Sequence, residues 1–226
     1  MWNDFLSLIY PRICPGCSLG LMKNEKCICT DCLTEIHKTD YYKYHTNPVS
    51  KILWGRIVFE SAMSLYSYNK DIRIQKLIHA LKYNNQPKIG EVLGVELGKE
   101  LMNKSETNDF DVIIPVPLHK LKKRKRGYNQ SYHIAKGVSS VLKIPIHNEL
   151  IVKTSNRTSQ TTKNRYNRWE NSRNTYILNL TEKIFDKKHA LIVDDVITTG
   201  STIESCVQAL NHIEDLKVSI ATLAMS

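Results

Sequence analysis

An open α/β fold, with a mainly parallel sheet flanked by helices and a small four-cysteine unit at the N-terminus, is predicted by three stretches of the chain. The first runs from Ala190 to Thr202. Ala190 to Val193 is a short apolar run of the kind that forms a buried parallel strand. Asp194 and Asp195 close it, small hydroxyl residues and Gly200 follow, and Ile203, Cys206, Val207 and Leu210 then recur at helical spacing. Strand, polar turn and helix make the half-unit of an open α/β sheet, whose ligands sit beyond the carboxyl ends of the strands. The second stretch, Phe110 to Ile114, reads as another sheet strand, ended by Pro115-Val116-Pro117-Leu118. The third holds five of the six cysteines, between Cys14 and Cys32.

Taken in order, Met1 to Tyr10 reads as a short amphipathic helix stopped by Pro11, without the basic region and cleavage site of a signal peptide. No apolar run approaches the ~20 residues that span a bilayer, so a cytoplasmic location is expected. Cys14/Cys17 and Cys29/Cys32 form two Cys-x-x-Cys knuckles able to give four thiolates to one structural zinc. Their spacer of 11 residues is short for such a site, and Cys27 could replace Cys29. His37 and His45 read as surface residues. Leu33 to Trp54 reads as a tyrosine-rich linker with one helical turn, so the chain divides into residues 1–54 and a main domain, 55–226.

Arg56 to Tyr68 alternates as a strand does, and Asp71 caps a helix bearing Ile74, Leu77, Ile78 and Leu81 on one face. Lys70, Arg73, Lys76 and Lys82 fall on its solvated side. Pro87 starts a second helix, in which Gly90, Gly94 and Gly98 recur every four residues and imply close packing against a neighbour. Gly98-Lys99 is followed by Glu100 where a P-loop needs Ser or Thr, which excludes that motif. Beyond Pro117 the run Lys122 to Arg126 reads as a basic loop, and Gly127-Tyr128-Asn129-Gln130 leads into a helix through Ile134, Val138 and Val141. Lys153 to Arg173 has no sustained apolar period and reads as a long functional loop. Lys217 to Leu223 is the last strand, and Cys206 a small core residue of the helix before it.

Thr198, Thr199, Gly200, Ser201 and Thr202 would set backbone N–H groups and hydroxyls at a helix start, a seat for phosphate. The carboxylates of Asp194 and Asp195 repel phosphate but accept hydrogen bonds from sugar hydroxyls. A phosphorylated sugar satisfies both halves of the stretch. This order of residues resembles the phosphoribosyl diphosphate (PRPP) loop of type I phosphoribosyltransferases. That resemblance implies their fold, with the two acids on the ribose hydroxyls and the turn around the 5′-phosphate. It also implies that the loop after the earlier strand, Val116, Pro117 and Leu118 with Lys120, meets the diphosphate, together with Arg126 and a Mg²⁺ ion carried with PRPP.

A closer resemblance covers nearly the whole chain. Pro115-Val116-Pro117-Leu118 followed by Arg124-Lys125-Arg126-Gly127-Tyr128-Asn129-Gln130 is similar to the signature of ComF-type competence proteins, with Tyr128 in place of the usual Phe. Such proteins join a four-cysteine zinc finger to a phosphoribosyltransferase-like domain, and some serve DNA uptake. Arg157-Thr158-Ser159-Gln160 and Arg168-Trp169-Glu170-Asn171 are similar to a further family pattern, which implies that Arg157 and Arg168 lie on a loop closing over the site. Three functions stay open: Mg²⁺-dependent ribosyl transfer to an acceptor, PRPP-gated binding of single-stranded DNA alongside uptake-machinery proteins, and an adaptor whose sugar-phosphate site is vestigial. The net charge of +10 suits an anionic ligand or a nucleic-acid surface.

Overall fold

The computed structural model describes residues 11–103, 109–153, 176–179 and 189–226. Along the chain run α1 (Thr30–Glu35), a 3-10 turn (Tyr41–Lys43), α2 (Pro48–Leu53), β1 (Ser61–Ser67), α3 (Ile72–Tyr83) and α4 (Pro87–Met102). Then come β2 (Val112–Pro115), α5 (Lys120–Arg126), α6 (Gln130–Leu142), β3 (Ile151–Lys153), β4 (Tyr176–Leu178), β5 (His189–Ile197), α7 (Ser201–Leu210) and β6 (Lys217–Met225). Among these, no helix is long and apolar enough to cross a membrane.

The expected sheet is present. β1, β6, β5 and β2 lie side by side in that order, every pairing parallel. Parallel strands need long crossovers, and covering both faces with helices keeps their backbone and apolar side chains from water. Two clusters of apolar side chains record this. On one face Met63, Leu65, Leu191, Val193 and Leu223 pack with Leu77 and Ile78 of α3, Leu93 of α4 and Ile134 of α6. On the other Ala62, Ile114, Ile192 and Ile220 pack with Leu53 of α2, Ile203 and Val207 of α7, and Ile151 and Tyr176 of the antiparallel β3–β4 pair.

The glycine stripe of α4 meets the backbone of α6. A Cβ on Gly94 would stand 2.2 Å from the Ile134 carbonyl oxygen, and one on Gly137 would stand 2.2 Å from that of Glu91. The two helices therefore touch main chain to main chain, the close packing that the stripe implies, with Gly137 as the small residue on α6.

Two expectations are corrected. The basic run is helix rather than loop. The ring of His119 accepts a hydrogen bond from the Leu121 amide at 3.2 Å, Gly127 ends the helix at φ 85, and the Lys and Arg residues between are good helix formers. Leu33 to Trp54 carries more structure than one helical turn. Asn47 caps α2 through Val49 and Ser50, with Pro48 at the first helical position, and its amide nitrogen donates to the Ala62 carbonyl at 2.8 Å. Tyr41 and Tyr42 lie against the core at this join, whereas Tyr44 is exposed. The reading of residues 1–10 as a helix lies outside the described residues.

Candidate functional site

The carboxyl end of β5 carries the site. Thr198 to Gly200 turn sharply there, and Gly200, at φ 73, starts α7. A Cβ on Gly200 would stand 2.9 Å from both Ile52 and Leu53, so α2 forms the floor of the turn. Thr198, Thr199, Ser201 and Thr202 are exposed around it, as a cradle for an anion requires. Arg56 braces the turn from below: its guanidinium donates to the Thr199 carbonyl and to Glu204, and lies 3.4 Å from Ser201 Oγ.

Asp194 and Asp195 come just before this turn and are both buried, at 7% and 5% exposure. Their carboxylates diverge. Asp194 Oδ1 accepts from Ser131 Oγ of α6 at 2.8 Å and from the Asp195 amide at 2.9 Å. Burial, and then the neighbouring Asp195 charge, push the Asp194 carboxyl up to about 7. Asp195 Oδ1 instead meets Lys82 Nζ of α3 at 3.0 Å. Asp195 Oδ2 is buried and has no hydrogen-bond partner among the described residues.

The loop after β2 lies beside this strand end because Pro115 pairs with Val193 and the Val116 amide donates to the Val193 carbonyl at 2.9 Å. Asn129, the cap of α6, holds the loop by donating to the Val116 carbonyl at 3.0 Å. Val116 is buried, Pro117 and Leu118 are half-buried, and Lys120 is exposed at the start of α5. Arg126 donates to Gln130 and lies 5.6 Å from the ring of Tyr83. The structure thus gathers Val116 to Leu118, Asp194, Asp195 and Thr198 to Thr202 at one edge of the sheet. The expected contributions of Arg157 and Arg168 lie outside the described residues.

Four residues at this edge escaped the sequence reading. Lys82, assigned to the solvated side of α3, turns to Asp195 instead. Arg56 and Ser131 sit in segments read only as secondary structure. Lys153 ends β3, and its ammonium lies 2.9 Å from Tyr176 Oη and 4.7 Å from that ring. Burial and then the nearby Lys122 hold the Lys153 ammonium below its usual range.

At the N-terminus the Sγ atoms of Cys14, Cys17, Cys29 and Cys32 lie within 4.8 Å of one another. Cys14 and Cys32 are 3.8 Å apart, and Cys17 and Cys29 are 3.6 Å apart. Four thiolates about 2.3 Å from one zinc stand roughly 3.8 Å from each other, so the set fits a tetrahedral ion. Cys27 stays outside it, its thiol pushed up to about 11 by burial. Burial also acts on Cys14, yet the amides of Cys29, Cys17 and Gly16 outweigh it and lower that thiol to about 7. Glu25 ties the loop by accepting from the amides of Met22 and Thr30, both at 2.7 Å. The four cysteines could therefore hold a structural zinc ion.

A parallel sheet with helices on both faces, a phosphate-type turn at a strand end and acids beside it define a phosphoribosyltransferase-type domain. Residues 129–225 match the family model of the phosphoribosyl transferase domain. Over 213 residues the chain is 27% identical to competence protein F of Haemophilus influenzae, covering 91% of this chain and 88% of that protein. It is 29% identical to the DNA utilization protein YhgH of Escherichia coli O157:H7, covering 91% and 86%. With competence protein ComFC of Bacillus subtilis it shares 24% identity, covering 91% and 74%. Over most of its length the chain is thus similar to ComF-type competence proteins, and residues 129–225 match a phosphoribosyl transferase domain.

Proposed function

We propose that this chain binds PRPP with Mg²⁺ and works in DNA uptake or the handling of incoming DNA, with transfer of the phosphoribosyl group to an acceptor as its reaction class. The observation that carries the reading is the union at one strand end of a turn, whose Thr and Ser residues are exposed around a buried Gly200, with a buried carboxylate whose second oxygen has no partner among the described residues. The turn suits the 5′-phosphate. Asp195 Oδ2 suits a ribose hydroxyl, since a buried carboxylate oxygen without a donor costs about 1–3 kcal/mol or more that a ligand hydroxyl recovers. Val116 to Leu118 and the neighbouring Lys120 suit the diphosphate leaving group. Mg²⁺ bound to that diphosphate would neutralise charge that builds up as the C1–oxygen bond breaks. The names of the relatives supply the setting in competence and DNA use.

Titration calorimetry with PRPP and Mg²⁺ tests this. Asp195→Ala and Thr199→Ala should each weaken binding at least about 100-fold while the circular dichroism of the fold is retained. Wild-type affinity in both variants would remove the assignment.

One observation favours a second reading, a PRPP-responsive single-stranded DNA-binding protein without transferase activity. Six of the seven residues of α5 are basic, and five of those six are exposed beside the β2 loop. Phosphate contacts from such a helix release counterions, so DNA affinity should fall steeply with salt. Pyrophosphate release on adding an acceptor favours the transferase. Salt-sensitive DNA binding that changes with PRPP, with no pyrophosphate released, favours the second reading.

A further inference from the structure

The contact of Lys82 with Asp195 is unusual for an ion pair that serves the fold alone. A buried carboxylate kept for stability has both oxygens satisfied, because an idle one adds desolvation cost to a pair that already gains little from burial. Here Asp195 Oδ1 receives Lys82 Nζ at 3.0 Å, while Oδ2 is buried and without a partner among the described residues. The lysine side chain is 24% exposed, against 7% for that of Asp195. Its ammonium carries three donors, and the Asp195 contact leaves others for a second anion. The end of α3 is also held against the site. Tyr128, just before α6, donates to the Leu81 carbonyl, and Arg126 lies 5.6 Å from the ring of Tyr83.

We propose that Lys82 contacts the ligand, and that Lys82 and Asp195 together read a sugar hydroxyl adjacent to an anionic substituent. Asp195 Oδ2 takes the hydroxyl, and the ammonium beside it takes an oxygen of the anion. On a ribose that arrangement occurs where a diphosphate on C1 adjoins the C2 hydroxyl. This rests on the PRPP reading above and adds to it a residue for the C1 end of the ligand, on a helix outside residues 129–225. Asp194, turned to Ser131, has its own partner.

The test is calorimetric titration of wild type, Lys82→Met and Lys82→Arg with PRPP, ribose 5-phosphate and pyrophosphate, each with Mg²⁺, alongside melting curves. Losing a charge-assisted contact should weaken PRPP binding by Lys82→Met about ten- to 100-fold. Ribose 5-phosphate, which has no C1 phosphate, should change by less than about threefold, and Lys82→Arg should recover part of the PRPP loss. Equal losses for PRPP and ribose 5-phosphate would make Lys82 a structural residue and overturn the proposal, as would unchanged PRPP affinity. A wild type that binds ribose 5-phosphate but not PRPP overturns it while sparing the phosphate turn. A wild type that binds no sugar phosphate overturns the PRPP reading and this proposal together. Should Lys82→Met fail to fold, Lys82→Gln keeps a donor for Asp195 without the charge and decides between the same outcomes.

Discussion

The four-cysteine segment and the carboxyl end of β5 are both polar clusters set against the apolar core, yet they are completed differently. Around the cysteines the polar partners are largely close in sequence: Arg12 donates to the carbonyls of Met22 and Glu25, the Thr30 amide donates to the Glu25 carboxylate, and four thiols face one another. The end of β5 is assembled from afar. Lys82, Ser131 and Arg56 reach it from three separate helices or loops, and one carboxylate oxygen still has no partner among the described residues. The first cluster closes on itself, while the second keeps a buried oxygen unsatisfied among the described residues beside a lysine held there by the fold.

The cysteine segment is nonetheless no free appendage. Cys14, Ile28, Cys32 and Ile36 belong to the same apolar cluster as Leu77 of α3 and as Leu191 and Val193 of β5. A Cβ on Gly16 would stand 3.5 Å from Leu77. Lys38 adds ion pairs to Glu96 at 3.1 Å and to Glu100 at 2.8 Å on α4. If the four thiolates hold zinc, its removal is therefore expected to destabilise the whole protein by on the order of 10 kcal/mol, rather than loosening residues 14–32 alone. Melting curves with and without a chelator, paired with metal analysis, would show it. Cys29→Ser should reproduce the effect, whereas Cys27→Ser should stay within about 1 kcal/mol of wild type. Equal effects from both would blur the distinction between the two clusters.

At the sheet edge the expected effects fall on ligand affinity. Arg56→Ala frees the Thr199 carbonyl and should weaken ribose 5-phosphate about tenfold, with a smaller effect on pyrophosphate; isothermal titration of both ligands separates the two. The smallest effect concerns protons. The Asp194 carboxyl, raised to about 7, stays protonated in the folded protein at pH values where the unfolded chain has already lost that proton. Its contribution to stability is complete below about pH 4 and is lost as pH rises through about 7. If a ribose hydroxyl needs the ionised form, PRPP affinity should rise roughly twofold between pH 7 and 8, and Asp194→Asn should abolish that rise in a pH series of titrations.

Much of this was legible in the residues because the chemistry is local. A strand that ends in two acids and then Thr-Thr-Gly-Ser-Thr needs no distant partner to declare itself, nor do two Cys-x-x-Cys turns. Asn47-Pro48 is an equally readable helix start, hidden amid the tyrosines. The basic run reads as a loop because charge alone does not separate a solvated loop from a short helix; its ends, His119 and Gly127, decide that. Lys82 falls on the solvated side because helical periodicity reports which face meets the core but not what lies past the helix end.

From its residues alone, the chain determined the parallel sheet, the Thr/Gly/Ser turn, the paired acids and the four thiols, since each depends on neighbours in sequence whose spacing sets their geometry. Only the tertiary structure decided that the two carboxylates diverge, that one meets a lysine from α3 and keeps an unused oxygen, and that Arg56 braces the turn from beneath. Those arrangements depend on how helices far apart in sequence cross the sheet, and side-chain burial and Coulomb forces between distant segments act only once that packing exists.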